Sequence, residues 1–242
     1  MAKYGFDLHI HSCLSPCAEN SSLPADMAGM FALSGYKIAA LTDHNSCGNC
    51  RPFLKACDHY GMLGIPGMEL NTAEEVHVIC LFKTIEDAER FSDYVYSTLP
   101  PVKNRKDLFG DQLYADELGN ITGEEEKLLI NASSIGIYQV KELAEQYGGL
   151  AYPAHIDRSS NSLLSNLGLW DPAMGFELAE LSYSCPEDLL KKRKDLKGLK
   201  AIRATDAHRF GQIPSAPGQF MELESLDIPS VFEWLRTYAP SI

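Results

Sequence analysis

The chain has 242 residues, 45% of them hydrophobic and 22% charged, with a formal net charge of −12. That length and balance suit one α/β domain with a sizeable core, and no apolar run reaches the roughly 18 residues of a membrane-spanning helix. The acidic balance argues against a broad nucleic-acid-binding surface, so nucleic acid is an unlikely partner on this reading.

The amino terminus, MAKYGFDLHIH, runs straight into a strand-like pattern without a secretory signal, so a cytoplasmic location is expected. Strand-like and helix-like periodicities then alternate. The first strand is expected over residues 4–9. A helix should follow Pro24, with Met27, Met30, Phe31 and Leu33 as its apolar positions and Gly35 at its end. A buried strand over 37–42, a helix over 50–60 closed by Gly61, strands over 63–69 and 76–82, and a helix over 85–99 come next.

Residues 100–135 break the rhythm. Pro100-Pro101 opens a polar stretch, and QLYADELGNITGEEE reads as a hairpin turning at Gly119-Asn120. The segment is too short for its own core, so it is expected as an insertion or flap on a single domain spanning 1–242. A helix over 138–147, a strand over 150–154, a loop rich in Ser and Asn, and a strand over 178–181 resume the pattern. A helix over 187–196, a strand over 200–205 and a helix over 230–238 complete it. The basic run KKRKDLK (191–197) reads as a solvated helix face. Repeated βα units argue for a parallel sheet, most economically closed into a barrel.

Six of the seven histidines sit in short clusters at or just beyond the carboxyl ends of these strands. They are His9 and His11, His44, His77, His155 and His208; His77 alone comes early in its strand, and His59 stands apart. In a βα barrel those ends converge on one face. His9-Ile10-His11 places two imidazoles on one side of an extended strand, and Asp206-Ala207-His208 repeats the geometry with a carboxylate. Imidazole with carboxylate suits zinc, iron or manganese. Neither a Ser-His-Asp arrangement nor a phosphate-binding glycine loop competes for the chemistry.

In DLHIHS, TDHN, the Gly67-Met68-Glu69 run, His77, the PAH of His155 and Asp206-Ala207-His208, the chain resembles the polymerase and histidinol phosphatase (PHP) superfamily of metal-dependent phosphoesterases. The motifs follow the family's order from residue 7 to residue 208. The resemblance implies a distorted (β/α)7 barrel holding two or three divalent ions (Zn, Mn or Fe) at the carboxyl ends of its strands. One ion would take His9, His11 and Asp206, with Glu69 bridging to a second that also takes His77 and His155. A third would use His44, His208 and a residue shortly after the HxH pair. Family members often carry His or Asp there; this chain has Pro16 and then Cys17. A thiolate is a good ligand for zinc or iron, so Cys17 is expected to complete the site; the alternative is a third site with two side-chain ligands.

Such a centre implies hydrolysis of a small phosphomonoester by metal-bound hydroxide, with Glu69, Asp206 and His208 at the reaction centre. Arg158 and Arg209, just beyond ligand histidines, are candidates for binding phosphate oxygens. The alternatives are a phosphodiesterase or exonuclease, a C–N hydrolase, or a metal-binding partner protein without catalysis. Substrate choice is expected to rest on residues 100–135 and 159–170. Asp7 and Asp43 either orient imidazoles or cap strand-end backbone. The seven cysteines, an odd number, are expected as thiols or ligands; Cys13, Cys17, Cys47 and Cys50 could make a structural zinc site or a redox pair, or remain ordinary thiols.

Overall fold

A computed structural model describes residues 1–186 and 192–241 of the chain. Its first third follows the expected βα rhythm: β1 (Ala2–Ile10), α1 (Pro24–Leu33), β2 (Ile38–Leu41), α2 (Cys50–His59) and β3 (Leu63–Asn71). Pro24 at the first turn presets the helical φ of α1. Gly35, at φ 84°, turns the chain after that helix where a side chain would be strained. β1, β2 and β3 are parallel neighbours, with Phe6 opposite Ile38 and Ile38 opposite Leu63.

The parallel run breaks at β4 (His77–Leu81), which pairs antiparallel with β3. Only residues 72–76 join the two strands. A parallel crossover needs about a dozen residues or more, so this connection must be a hairpin. β7 (Leu150–Pro153) then pairs antiparallel with β4, so it runs in the direction of β3 again. Between β4 and β7 lie α3 (Ile85–Thr98), the short α4 (Lys106–Phe109), the predicted hairpin as β5 (Leu113–Ala115) and β6 (Ile121–Glu124), and α5 (Ile137–Gln146). Thr84 caps α3 by accepting from the Asp87 N–H.

After α6 (Leu163–Asn166), β8 (Leu178–Ser182) and β9 (Lys200–Ala204) form a separate parallel pair. The Ile156 N–H donates to the Glu180 carbonyl at 2.9 Å and ties the end of β7 to β8; the His11 N–H donates to the Ala207 carbonyl at 2.9 Å and ties β1 to the chain after β9. A curled half-barrel sheet of six strands with this pair beside it fits a distorted barrel, and the antiparallel β4 departs from the expected (β/α)7 repeat. β10 (Phe220–Leu223), which the sequence did not announce, adds antiparallel to the first residues of β1. Half of the predicted helix over 187–196 lies outside the described residues; Lys194–Leu196 form a single 3-10 turn.

Two cores hold the sheet. One packs its strands on α1, α2, α3 and α5; the other fills between Phe6, Leu8, Ile38, Ile65 and Tyr152 and is closed by α7 (Ile228–Thr237) through Val231, Phe232 and Leu235. Trp234 of α7 meets Phe6 edge-on at 5.7 Å between ring centres. Phe6 and Leu8 belong to the second core but Ile10 to the first. The face of β1 therefore changes at its register shift between Asp7 and Ile10, just where His9 and His11 begin.

Candidate metal centre

Glu69 is the centre of the cluster. Its side chain is buried, and five imidazoles approach its two oxygens. Oε1 lies 2.8 Å from His77 Nδ1, 3.0 Å from His155 Nε2 and 3.3 Å from His9 Nε2. Oε2 lies 2.9 Å from His44 Nδ1 and 3.3 Å from His11 Nε2. Asp206 Oδ1 stands 3.1 Å from His9 Nε2 and 3.0 Å from His11 Nε2. The ring of His208 stacks on His11 at 4.0 Å. Every histidine except His59 has thus come together, with β1, β3, β4 and the loops after β2, β7 and β9 each supplying a donor.

Hydrogen bonding alone does not satisfy this arrangement. His9 Nε2 and His11 Nε2 face each other at 3.0 Å, His155 Nδ1 is buried without a hydrogen-bond partner, and the close contacts of His44 Nδ1 and Asp206 Oδ1 given above lack hydrogen-bond geometry. With ion–donor bonds of roughly 2.0–2.2 Å, donors sharing one ion stand roughly 3–3.5 Å apart, which is the spacing found here. Three donor groups fit an ion among the described residues: His9, His11, Glu69 and Asp206; His44, Glu69 and His77; and His11, His44 and His208. The chemistry of these donors suits divalent ions.

The electrostatics agree. Burial opposes ionisation of Glu69, yet His77, His9 and His44 hold its carboxyl well below the usual range. Burial likewise opposes ionisation of Asp206, which His9 and His11 hold low. Burial also disfavours the imidazolium of His9, but Glu180, Asp206 and Glu69 raise it well above its ordinary value. His77 goes the other way, to about 4, because burial outweighs Glu69. The cavity is therefore built around buried negative charge that calls for cations.

A second layer of polar groups aims the rings. Asp43 accepts from the Ser12 N–H at 2.7 Å, the Ser12 hydroxyl at 2.6 Å and the Ser15 hydroxyl at 2.7 Å. With its proton committed to Asp43, Ser15 accepts from His11 Nδ1–H at 2.8 Å, which leaves Nε2 as the donor. Asp43 thus orients an imidazole through Ser15. Asp7 does the other job, accepting from the N–H groups of His9 and Thr205, each at 3.1 Å. Sequence reasoning missed Glu180, which accepts from His9 Nδ1–H at 2.9 Å, and Asn161, whose amide meets His77 Nε2 at 3.0 Å. The one signal for Glu180 was an acidic residue inside the buried run of β8. His155 at φ 28° and Asp206 at φ 51° hold left-handed backbone without being glycine. Each such residue costs on the order of 1–3 kcal/mol, strain of the kind concentrated at functional sites.

Cys17 is exposed as a residue, but its Sγ turns to His44 Nε2 at 3.3 Å. Burial of the thiol would raise its pKa; His44 and a hydrogen bond with His208 bring it down to about 5. Cys17 therefore stands beside both histidines of the expected third site. The other cysteines go elsewhere. Cys13 donates to the Leu113 carbonyl, and Cys47 and Cys50 both donate to the Gly67 carbonyl, so the four do not gather.

A cavity of about 120 Å³ opens over the cluster, lined by His44, His77, His155, Arg158, Asn161 and His208 among others. Arg158 pairs there with Asp206 Oδ2. Arg209 does not line it; its guanidinium lies 3.9 Å from Glu19 on the surface. The 100–135 segment acts as a brace. Leu113 N–H donates to the Cys13 carbonyl at 2.8 Å, and Asn45, next to His44, donates to the carbonyls of Leu129 and Asn131 at 2.7 and 2.9 Å.

No protein-family model matches the sequence, and no curated protein matches it. Solved structures do. A lesion-specific endonuclease of Pyrococcus furiosus, PfuEndoQ, superposes with a TM-score of 0.71 at 16% identity, covering 98% of this chain and 57% of its own. A protein of Bifidobacterium adolescentis assigned as a metal-dependent phosphoesterase gives 0.61 at 15% identity, with 95% of each chain covered. An amidohydrolase of Chromobacterium violaceum with bound sulfate gives 0.60 at 18%, with 98% of each covered.

The chain shares the fold of these three structures and spans little more than half the length of the endonuclease it matches. One expectation falls here. Endonuclease Q, in complex with a 27-mer duplex carrying an abasic lesion, has the same fold (TM-score 0.70, 17% identity). Net charge over a whole chain therefore does not set nucleic acid aside, because a metal centre can supply the local positive charge. No described helix is long and apolar enough to cross a membrane.

Proposed function

We propose that this protein is a metal-dependent hydrolase of phosphate esters, acting first on small phosphomonoesters. The observation that carries the reading is Glu69, one buried carboxylate within 3.3 Å of five imidazoles, with Asp206 sharing two of them. His9, His11, Glu69 and Asp206 would hold one divalent ion, Glu69, His77 and His155 a second, and His44, His208 and Cys17 a third. Zn, Mn or Fe bound there would supply Lewis acidity and lower the pKa of water toward neutrality.

The chain's own residues do the rest. Arg158, at the cavity wall and paired with Asp206, is placed to trade that carboxylate for a phosphate oxygen. His208 donates from Nδ1 to the Asp206 carbonyl at 2.8 Å, which fixes its ring at the cavity. A cavity of about 120 Å³ admits a phosphoryl group and leaves the leaving group outside. The likeness to Endonuclease Q supports a second reading, cleavage of a phosphodiester at a damaged or terminal nucleotide.

One panel separates them. The protein loaded with Mn, Fe or Zn is offered nitrophenyl phosphate, nucleoside monophosphates, bis-nitrophenyl phosphate, single-stranded oligonucleotide and duplex with an abasic site. Turnover of monoesters supports the first reading and turnover of the diesters alone the second. No turnover of any phosphate ester with any of the three metals sinks both.

A further inference from the structure

The geometry points to Glu180 as the positioning residue that joins the first two ion sites, a role that rests on the reading of the cluster as a divalent-ion centre. Glu180 lies on β8 and is fully buried. Its Oε1 accepts twice: from His9 Nδ1–H at 2.9 Å and from the His155 N–H at 3.2 Å. His9 Nε2, on the far side of its ring, stands 3.1 Å from Asp206 Oδ1, and His155 Nε2 stands 3.0 Å from Glu69 Oε1. One oxygen therefore anchors the ring of a ligand to the first ion and the backbone of a ligand to the second.

Both anchors matter. A neutral imidazole carries one proton, and the bond to Glu180 places it on Nδ1 of His9. Nε2 then keeps its lone pair for the ion, and the negative charge behind the ring makes it a stronger donor. His155 holds φ 28°, a conformation its own side chain disfavours. Its N–H bond to the Glu180 side chain and the neighbouring Ile156 N–H bond to the Glu180 carbonyl pin that turn on both sides.

Glu180 gives the fold little in return. Its Oε2 is buried with no hydrogen-bond partner, a cost to stability that an apolar side chain in β8 would avoid. What the carboxylate supplies is orientation and charge at the centre. It touches no substrate-facing atom of the cavity, so it positions and does not react.

The test compares wild type with Glu180→Gln and Glu180→Ala. Ions per chain are counted by elemental analysis, affinity is read by chelator competition with Mn or Zn, and the metal-free proteins are melted. Glu180→Ala should weaken metal binding by roughly 10–100-fold and lower the number of ions retained. Glu180→Gln keeps an oxygen that accepts both bonds, so it should recover the stoichiometry while staying weaker than wild type by about tenfold. Should the Ala variant not fold, the isosteric Gln variant decides alone. Metal affinity within about threefold of wild type in the folded variants, even with a lowered melting point, would overturn the role, since a purely structural residue behaves that way. Wild type that loads ions yet cleaves no phosphate ester would sink the proposed reaction and leave Glu180's role intact.

Discussion

Asn71 and His77 stand opposite each other across the antiparallel pair of β3 and β4. Glu69 nears the carboxyl end of its strand while His77 begins the next one, and the hairpin between them brings both to the same rim of the sheet. The Glu69–His77 contact of 2.8 Å is the outcome. Strand direction, and not strand position, selects the residues that reach the centre.

His77→Ala removes a donor whose partner, Glu69, stays in place. The expected result is loss of one ion per chain and a fall in phosphatase activity of more than about 100-fold, beyond what outer partners of a metal site cost. Elemental analysis beside steady-state kinetics checks it. Full metal content in the variant would remove His77 from the site.

The donors were legible in the sequence because His, Glu and Asp in tight motifs at strand ends are rare by chance and share one chemical task. Their partners were not. Asn161 and Glu180 act through contacts across many residues of chain, Ser15 takes its orientation from the distant Asp43, and a serine or a glutamate reads the same whether it touches an imidazole or water. The antiparallel β4 left a trace in the short link over 72–76, which outweighs the expectation of parallel βα units. β10 left none, since a four-residue strand with alternate exposure looks like loop. The insertion was legible as a hairpin, but its grip on Asn45 and Cys13 depends on the finished fold.

Arg158 and Arg209 should part company. Arg158 sits at the cavity beside Asp206, whereas Arg209 lies near Glu19 on the surface. Arg158→Ala should raise KM for a phosphomonoester about tenfold, the loss of roughly one charge-assisted hydrogen bond, with metal content unchanged. Arg209→Ala should leave KM within about twofold, as removal of an exposed partner does. Equal effects from both substitutions would contradict the assignment.

Cys17 should be the reactive thiol of the chain. Its pKa of about 5 makes it a thiolate at pH 6.5, whereas burial pushes Cys13 up to about 12 and Cys47, Cys57 and Cys80 above their ordinary range. Iodoacetamide at pH 6.5 should label the metal-free protein at Cys17 first, and prior loading with Zn should slow that labelling at least about tenfold. Cys17→Ser should lower the ion count by one. Labelling that ignores zinc would place the third ion elsewhere or remove it.

Asp7 gives the metal-free protein a pH signature. Burial is the main cause that raises its carboxyl from 3.8 to about 7, against the hydrogen bonds from His9 and Thr205. Between those values the native state holds a proton that the unfolded chain has released, so native binds more protons and stability falls as pH rises. The contribution is complete below about 4 and lost as pH passes through about 7, a swing of about 4 kcal/mol at most. Asp7→Asn cannot ionise. Against wild type, this variant should look least stable at pH 5, and its deficit should shrink or reverse by pH 8. Melting curves of both proteins in chelator across that range measure it. A deficit constant with pH would mean that Asp7 does not titrate there.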